Sequence, residues 1–170
     1  GPLDILFDAQ GYMYLSDTGN KRIVKFDPEG RMVAAIGMMG DGPGQFQEPV
    51  GLASSPDGML YVADTWNQRI QVFDRDLRYV REWSVLAWDG MSVVNKPYLA
   101  ADSAGNVYAS DPEGYRILKF DAQGKLLAAW GQYGSDLASM NLPTGLAFDQ
   151  QGRLLVADAE NQRLLVFEVN

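Results

Sequence analysis

An all-β fold, a β-propeller of four blades, is what this sequence predicts, and three observations carry it: a repeat of about 47 residues, period-two alternation within it, and turn residues at fixed offsets. Asp17, Asp64, Asp111 and Asp158 stand 47 residues apart, as do Arg22, Arg69, Arg116 and Arg163, and as do Gly11, Gly58, Gly105 and Gly152. Pro2, Pro49, Pro97 and Pro143 open the repeats at spacings of 47, 48 and 46, which confines length variation to the segment before each proline. The repeats therefore run 2–48, 49–96, 97–142 and 143–170, and are read together as one domain over 1–170.

In the first repeat Leu3, Ile5 and Phe7, then Tyr12 and Tyr14 ahead of Asp17, alternate as half-buried strands do. The second repeat predicts strand a over 50–54, a turn at Ser55-Pro56-Asp57-Gly58, strand b over 60–63, a turn over 64–68, strand c over 69–73 and strand d over 79–83. Asp, Asn, Pro and Gly fall where a turn needs a preset or positive φ, and no helical period competes. The last repeat stops after strand c, 163–167, with no strand d. Three arrangements follow: a closed four-bladed disc, an open arc cut from a longer propeller, or an arc completed by a second copy. An unpaired edge carrying Leu164, Leu165, Val166 and Phe167 favours the last two.

At 170 residues and 18.7 kDa, with 46% hydrophobic residues, the chain is long enough to bury a core. It has no His and no Cys, which removes imidazole and thiolate and with them triads, zinc sites, haem ligation and disulfides. Carboxylates, hydroxyls, lysine and arginine remain, or a hard cation such as calcium held by oxygen. A net charge of -8 and a pI near 4.4 oppose binding to a polyanion, so no nucleic-acid partner is expected. The longest apolar stretch, 32–40, is nine residues, about half a bilayer span, and Gly1-Pro2-Leu3-Asp4 has no signal-peptide character. Membrane insertion by this chain is not expected.

Leu60-Tyr61-Val62-Ala63-Asp64-Thr65-Trp66-Asn67-Gln68-Arg69-Ile70-Gln71-Val72-Phe73-Asp74, preceded by Pro49-Val50-Gly51-Leu52-Ala53, resembles the NHL repeat. So does Pro143-Thr144-Gly145-Leu146-Ala147-Phe148-Asp149 with Leu155-Val156-Ala157-Asp158-Ala159-Glu160-Asn161-Gln162-Arg163. The first and third repeats are looser, with Gly114 where Asn67 stands. The resemblance implies a propeller that usually has six blades, against four here. It also implies a part of a larger chain, such as the extracytoplasmic region of a membrane protein.

Each Asp/Arg pair spans a b-to-c turn, where a bidentate charge-assisted bond would clamp it. A feature identical in every blade serves the fold, so these residues are read as structural. Asn20, Asn67 and Asn161 are expected to hold the same turns by side-chain to backbone bonds or left-handed φ, and Asp8, Asp102 and Asp149 to begin Asp-x-x-Gly turns.

Function belongs where the template is broken, in the d-to-a segments 37–48, 84–96 and 131–142 and in the b-to-c turns. These carry Met38, Met39, Phe46, Trp88, Met91, Tyr133 and Met140, with Trp66 and Tyr115 in the turns. Aromatic residues and methionine suit protein recognition. The candidate partner-binding residues are Trp66, Tyr115, Trp88, Tyr133, Met39 and Phe46. Trp66 leads because Gly19, Glu113 and Glu160 hold its place elsewhere. The expected function is a non-catalytic scaffold for a protein or peptide, with no cofactor and no metal. The alternative is a calcium-dependent, lactonase-like hydrolase drawing on Asp41, Glu48, Asp89 and Asp136; single-stranded RNA binding ranks third.

Overall fold

The computed structural model describes residues 1–90 and 94–169. Its strands form four antiparallel blades in chain order. Blade 1 holds β1 (Asp4–Phe7), β2 (Met13–Asp17), β3 (Arg22–Phe26) and β4 (Met32–Ile36). Blade 2 holds β5 (Pro49–Ser54), β6 (Leu60–Asp64), β7 (Arg69–Phe73) and β8 (Tyr79–Ser84). Blade 3 holds β9 (Leu99–Ala101), β10 (Val107–Asp111), β11 (Arg116–Phe120) and β12 (Leu126–Trp130). Blade 4 has three strands among the described residues: β13 (Pro143–Phe148), β14 (Leu154–Asp158) and β15 (Arg163–Phe167). The predicted strands of the second repeat each fall within a residue of the observed ones.

The aspartates that begin the turns work through one device. The carboxylate of Asp8 accepts the amides of Gln10 and Tyr12, and Asp102 and Asp149 repeat the pattern. Asp27, Asp74 and Asp121 do the same at the c-to-d turns. The b-to-c turns of blades 1, 2 and 4 are single turns of 3₁₀ helix, where the sequence predicts plain turns. In each blade the residue before the arginine is left-handed, at φ 56, 51, 54 and 52° for Lys21, Gln68, Tyr115 and Gln162. The asparagines are therefore not the left-handed residues of these turns. Lysine and glutamine at those positions give no hint of a positive φ.

Because side chains alternate along a strand, each blade has two apolar faces, and three clusters fill the three gaps between blades. Tyr14 and Ile23 of blade 1 meet Leu52, Leu60, Val62 and Phe73 of blade 2. The opposite face of blade 2, with Ala53, Tyr61, Ile70 and Val72, meets Leu99, Val107, Leu118 and Phe120 of blade 3. Tyr108 and Ile117 then meet Leu154, Val156 and Leu165 of blade 4. The inner strands pack in series, β1 on β5, β5 on β9 and β9 on β13, and among the described residues no comparable packing joins β13 back to β1. The arrangement is an arc whose inner strands surround a cleft lined by Asp4–Leu6, Leu52–Ser54, Tyr98–Ala101 and Gly145–Phe148.

Gly51 sets the closeness of that inner packing. A Cβ placed there would lie 2.7 Å from Tyr98 Cα and 2.9 Å from both Leu99 N and Pro97 O, all backbone atoms of blade 3. Gly51→Ala is therefore expected to destabilise the fold by about 1–3 kcal/mol through overpacking, seen as an earlier midpoint in urea. A midpoint equal to that of the unsubstituted chain would show that the blades can separate without cost.

Candidate functional site

The face that carries the loops is built on the repeated aspartate and arginine. In blade 2, Arg69 Nε donates to Asp64 Oδ2 at 3.0 Å, and Asn67 Nδ2 donates to the same oxygen at 2.7 Å. Asp64 Oδ1 accepts the amides of Gln47 and Glu48 from the loop before the blade. The contact is thus monodentate rather than the bidentate fork expected from sequence, because the second carboxylate oxygen is occupied by backbone amides. The free guanidinium nitrogens reach the carbonyls of Asp41, Gly42 and Gln45 and the Glu82 carboxylate. Blade 4 copies the arrangement: Arg163 bonds Asp158 Oδ2 at 2.7 Å and the carbonyls of Ser135, Asp136 and Ser139.

Asn67 and Asn161 complete it by donating to the carbonyls of Gly40 and Gly134. The clamp therefore fixes a whole 12-residue loop as well as a turn. Loops 37–48 and 131–142 share one conformation, with parallel bridges between Met39 and Phe46 and between Tyr133 and Met140. Segment 84–96 differs, with a 3₁₀ turn at Leu86–Trp88.

Each loop drives one large side chain inward and leaves others outside. Phe46, Trp88 and Met140 are buried between blades, with Trp88 Nε1 donating to Ser110 O at 3.2 Å. Phe46 and Trp88 are thereby corrected from candidate contacts to core residues. Met39 and Tyr133, two repeats apart and in equivalent places, are 74% and 68% exposed. Tyr115, half-buried, packs edge-on against Tyr133 at 5.0 Å. Met91 lies outside the described residues.

Trp66 is 47% exposed on its turn. Lys21 Nζ stands 5.7 Å from its ring on one side and Lys96 Nζ 5.4 Å on another, both within cation–π range. Lys96 also donates to Glu48 at 2.6 Å, so the tryptophan is flanked by a lysine of blade 1 and one of the segment that leads into blade 3. The candidates form two groups, Trp66 with its lysines and the Tyr115–Tyr133 pair. The exposed Met38, Leu86 and Leu137 on the same loops lie outside the candidate set, because nothing in an apolar loop residue says whether it points in or out. Asp41, Glu48, Asp89 and Asp136 do not converge: Glu48 pairs with Lys96, Asp89 accepts from Gln68, and Asp136 caps Ala138.

Four antiparallel blades around a cleft, with their loops on one face, define a β-propeller. The NHL repeat family model matches residues 46–73 and 140–167, so two segments of this propeller, in the second and fourth blades, match NHL repeats. Both matched segments contain the clamp and begin at the buried plugs Phe46 and Met140. No curated protein matches the sequence.

Solved structures do match it. Virginiamycin B lyase from Staphylococcus aureus is 12% identical with a TM-score of 0.68, covering 99% of this chain and 55% of that one. A putative 6-phosphogluconolactonase from Bacteroides uniformis is 20% identical with a TM-score of 0.71, covering 99% and 50%. A gluconolactonase from Xanthomonas campestris is 21% identical with a TM-score of 0.61, covering 91% and 53%. The chain spans about half the length of these structures. They correct the inference from composition that this chain has no enzymatic role: the same arc of blades occurs in proteins named as lyases and lactonases. At such identities the likeness is one of fold.

The four clamps are unequal. Hydrogen bonds from Asn20 and Arg22 hold the Asp17 carboxyl below its ordinary range. Burial pushes Asp111 up, against the pull of Arg116, and its turn has Gly114 in the place of the asparagine donor, with the carboxylate lying where a Cβ would stand. A lowered carboxyl contributes stability above its unfolded pKa and loses it as pH falls; a raised one contributes most at low pH and loses that as pH rises. Carboxyl carbon NMR titration should therefore show Asp17 protonating at lower pH than Asp111, and the reverse order would refute this assignment.

Arg69→Ala leaves Asp64, which is fully buried, without its main partner. It is expected to cost about 3–5 kcal/mol, whereas Arg22→Ala, at a side chain 42% exposed, should cost under about 1 kcal/mol. Urea unfolding of the two variants distinguishes these values, and equal losses would contradict the role given to burial.

Proposed function

We propose that this chain is a binding module that presents its loop face to a protein or peptide, with Trp66 as the central anchor. The observation that carries the reading is the position of Trp66. It is a large aromatic side chain held half-exposed at the mouth of the arc by two flanking lysines, in a turn where the other blades carry Gly19, Glu113 and Glu160. An exposed tryptophan on a rigid turn loses little entropy on binding and suits a hot spot. Met38, Met39 and Leu86 extend an apolar surface on the neighbouring loops. Loop 37–48, which carries Met38 and Met39, is tied by the Asp64–Arg69 clamp, so that part of the surface is formed before a partner arrives.

The reading is tested by panning a random peptide display library on the chain and measuring the recovered peptides against variants. Trp66→Ala is expected to leave the thermal midpoint within about 2 °C, as surface substitutions do, and to weaken the selected peptides about 30-fold or more. Peptides that bind the variant as well as the original would place the anchor elsewhere. A large loss of stability would show that Trp66 is part of the core.

A further inference from the structure

The three gaps between blades are not closed in the same way. Carbonyls of loop 37–48 meet the guanidinium of Arg69 between blades 1 and 2, and carbonyls of loop 131–142 meet that of Arg163 between blades 3 and 4. Between blades 2 and 3 the chain leaves β8 in the 3₁₀ turn Leu86–Trp88, with the Val85 amide donating to Gln68 O at 2.7 Å. Beside that turn lies a groove of about 480 Å³. The blades on either side of it have four strands each, so it depends on neither end of the chain.

One wall of the groove is Arg116, Leu118 and Phe120, which alternate along β11, with Ala129 and Leu126 paired to them on β12. The other wall is the turn that carries Leu86. Strand rise puts Phe120 about 13 Å from Arg116, so the groove is apolar along its length with a cation towards one end. Arg116 Nε donates to Asp111 at 2.7 Å, but among the described residues its two Nη groups donate to no protein atom. In blade 2 the same nitrogens are filled, and Arg69 Nη1 holds a second carboxylate, Glu82, at 3.0 Å. Glu82 pairs with Gln71 across β7 and β8, and 47 residues later Ala129 pairs with Leu118. Blade 3 thus keeps the arginine and has alkyl groups where blade 2 has the carboxylate and the amide. The Arg116 side chain is 40% exposed, against 7% for Arg69.

We propose that this groove binds a small carboxylate with an extended apolar chain. The ligand's carboxylate takes the Nη groups of Arg116, as Glu82 takes that of Arg69, and its chain lies along Leu118, Phe120 and Leu126. Charge complementarity chooses this occupant: a guanidinium with free donors suits a carboxylate, and the walls beyond it offer apolar contact only. The volume is that of a site for a small molecule. The inference does not depend on the Trp66 reading, since it concerns the gap between blades 2 and 3 and rests on Arg116.

Calorimetric titration of the chain with decanoate at neutral pH tests it. One decanoate per chain is expected to bind. Decanol, which has the same chain without the carboxylate, is expected to bind about 10-fold or more weakly, the value of a charged hydrogen bond. Ala129→Glu supplies blade 3 with the carboxylate that Arg69 meets in blade 2, and is expected to weaken decanoate about 10-fold or more. Leu86→Glu alters a side chain that is 77% exposed on the opposite wall, so the variant should fold as the original does, and its charge is expected to weaken decanoate more than decanol. Decanol binding as tightly as decanoate overturns the proposal. So does an affinity for decanoate that neither substitution lowers, or the absence of saturable binding below the concentration at which decanoate forms micelles.

Discussion

Everything in this molecule depends on the packing of one blade face on the next. A four-stranded sheet of about 20 residues cannot bury both of its faces by itself, and its neighbours must cover them. The three inter-blade clusters are therefore the core, and no blade has a private one. Blade 2, covered on both sides, has every residue of β6 and β7 buried, while β2 of blade 1 and β14 of blade 4 alternate between buried and accessible. Burial in this fold is a property of position along the arc and not of sequence alone. Equivalent apolar positions differ in exposure through what stands beside them: Val62 is buried where Leu15, one repeat earlier, is half-buried.

The buried carboxylate follows from that packing. Once the b-to-c turn lies between two blades, Asp64 is cut off from water and must be satisfied entirely by the protein. Its partners come from three directions: the arginine on the next strand, the asparagine in the turn, and amides of the preceding loop. The arginine still has four N–H groups to place, and the loop carbonyls receive them together with Glu82. Loop 37–48 is ordered by this exchange, and loop 131–142 is ordered in the same way by Asp158 and Arg163. A structural pair thus shapes the surface on which binding is proposed, without itself touching a partner.

The repeat made the blades legible. Spacing of 47 residues placed the strands, the Asp-x-x-Gly turns and the clamp, because each is set by chemistry local to one or two strands. What was not legible depends on contacts between repeats. Phe46 and Trp88 sit in segments without a template and look like surface residues, yet each is the plug of a gap between blades. Lys21, from the repeat before, and Lys96, at the far end of the same repeat, come to Trp66 from 45 residues before it and 30 after, and no local pattern brings them together. Composition misled in a different way: lacking histidine and cysteine narrows the chemistry available to this stretch of chain, but it does not decide what an assembled propeller does.

The same distinction separates the mouth of the arc from its cleft. The mouth is made by loops that each belong to one junction, and loops 37–48 and 131–142 are tied in place by their clamps. The cleft is different, because its wall is a ring of inner strands and every ligand placed there would contact several blades at once. Asp4 shows what the wall can offer: burial raises its carboxyl, while Leu52 of the next blade donates its amide to it at 2.8 Å. Tyr98, raised by burial and by the charge of Asp4, lines the same cleft. A carboxyl and a phenol facing an otherwise apolar cleft are polar groups on a wall that is open on the side between β13 and β1. A ligand at the axis would therefore be held by inner strands of several blades together, whereas a partner at the proposed loop face would be met by loops that each belong to one junction.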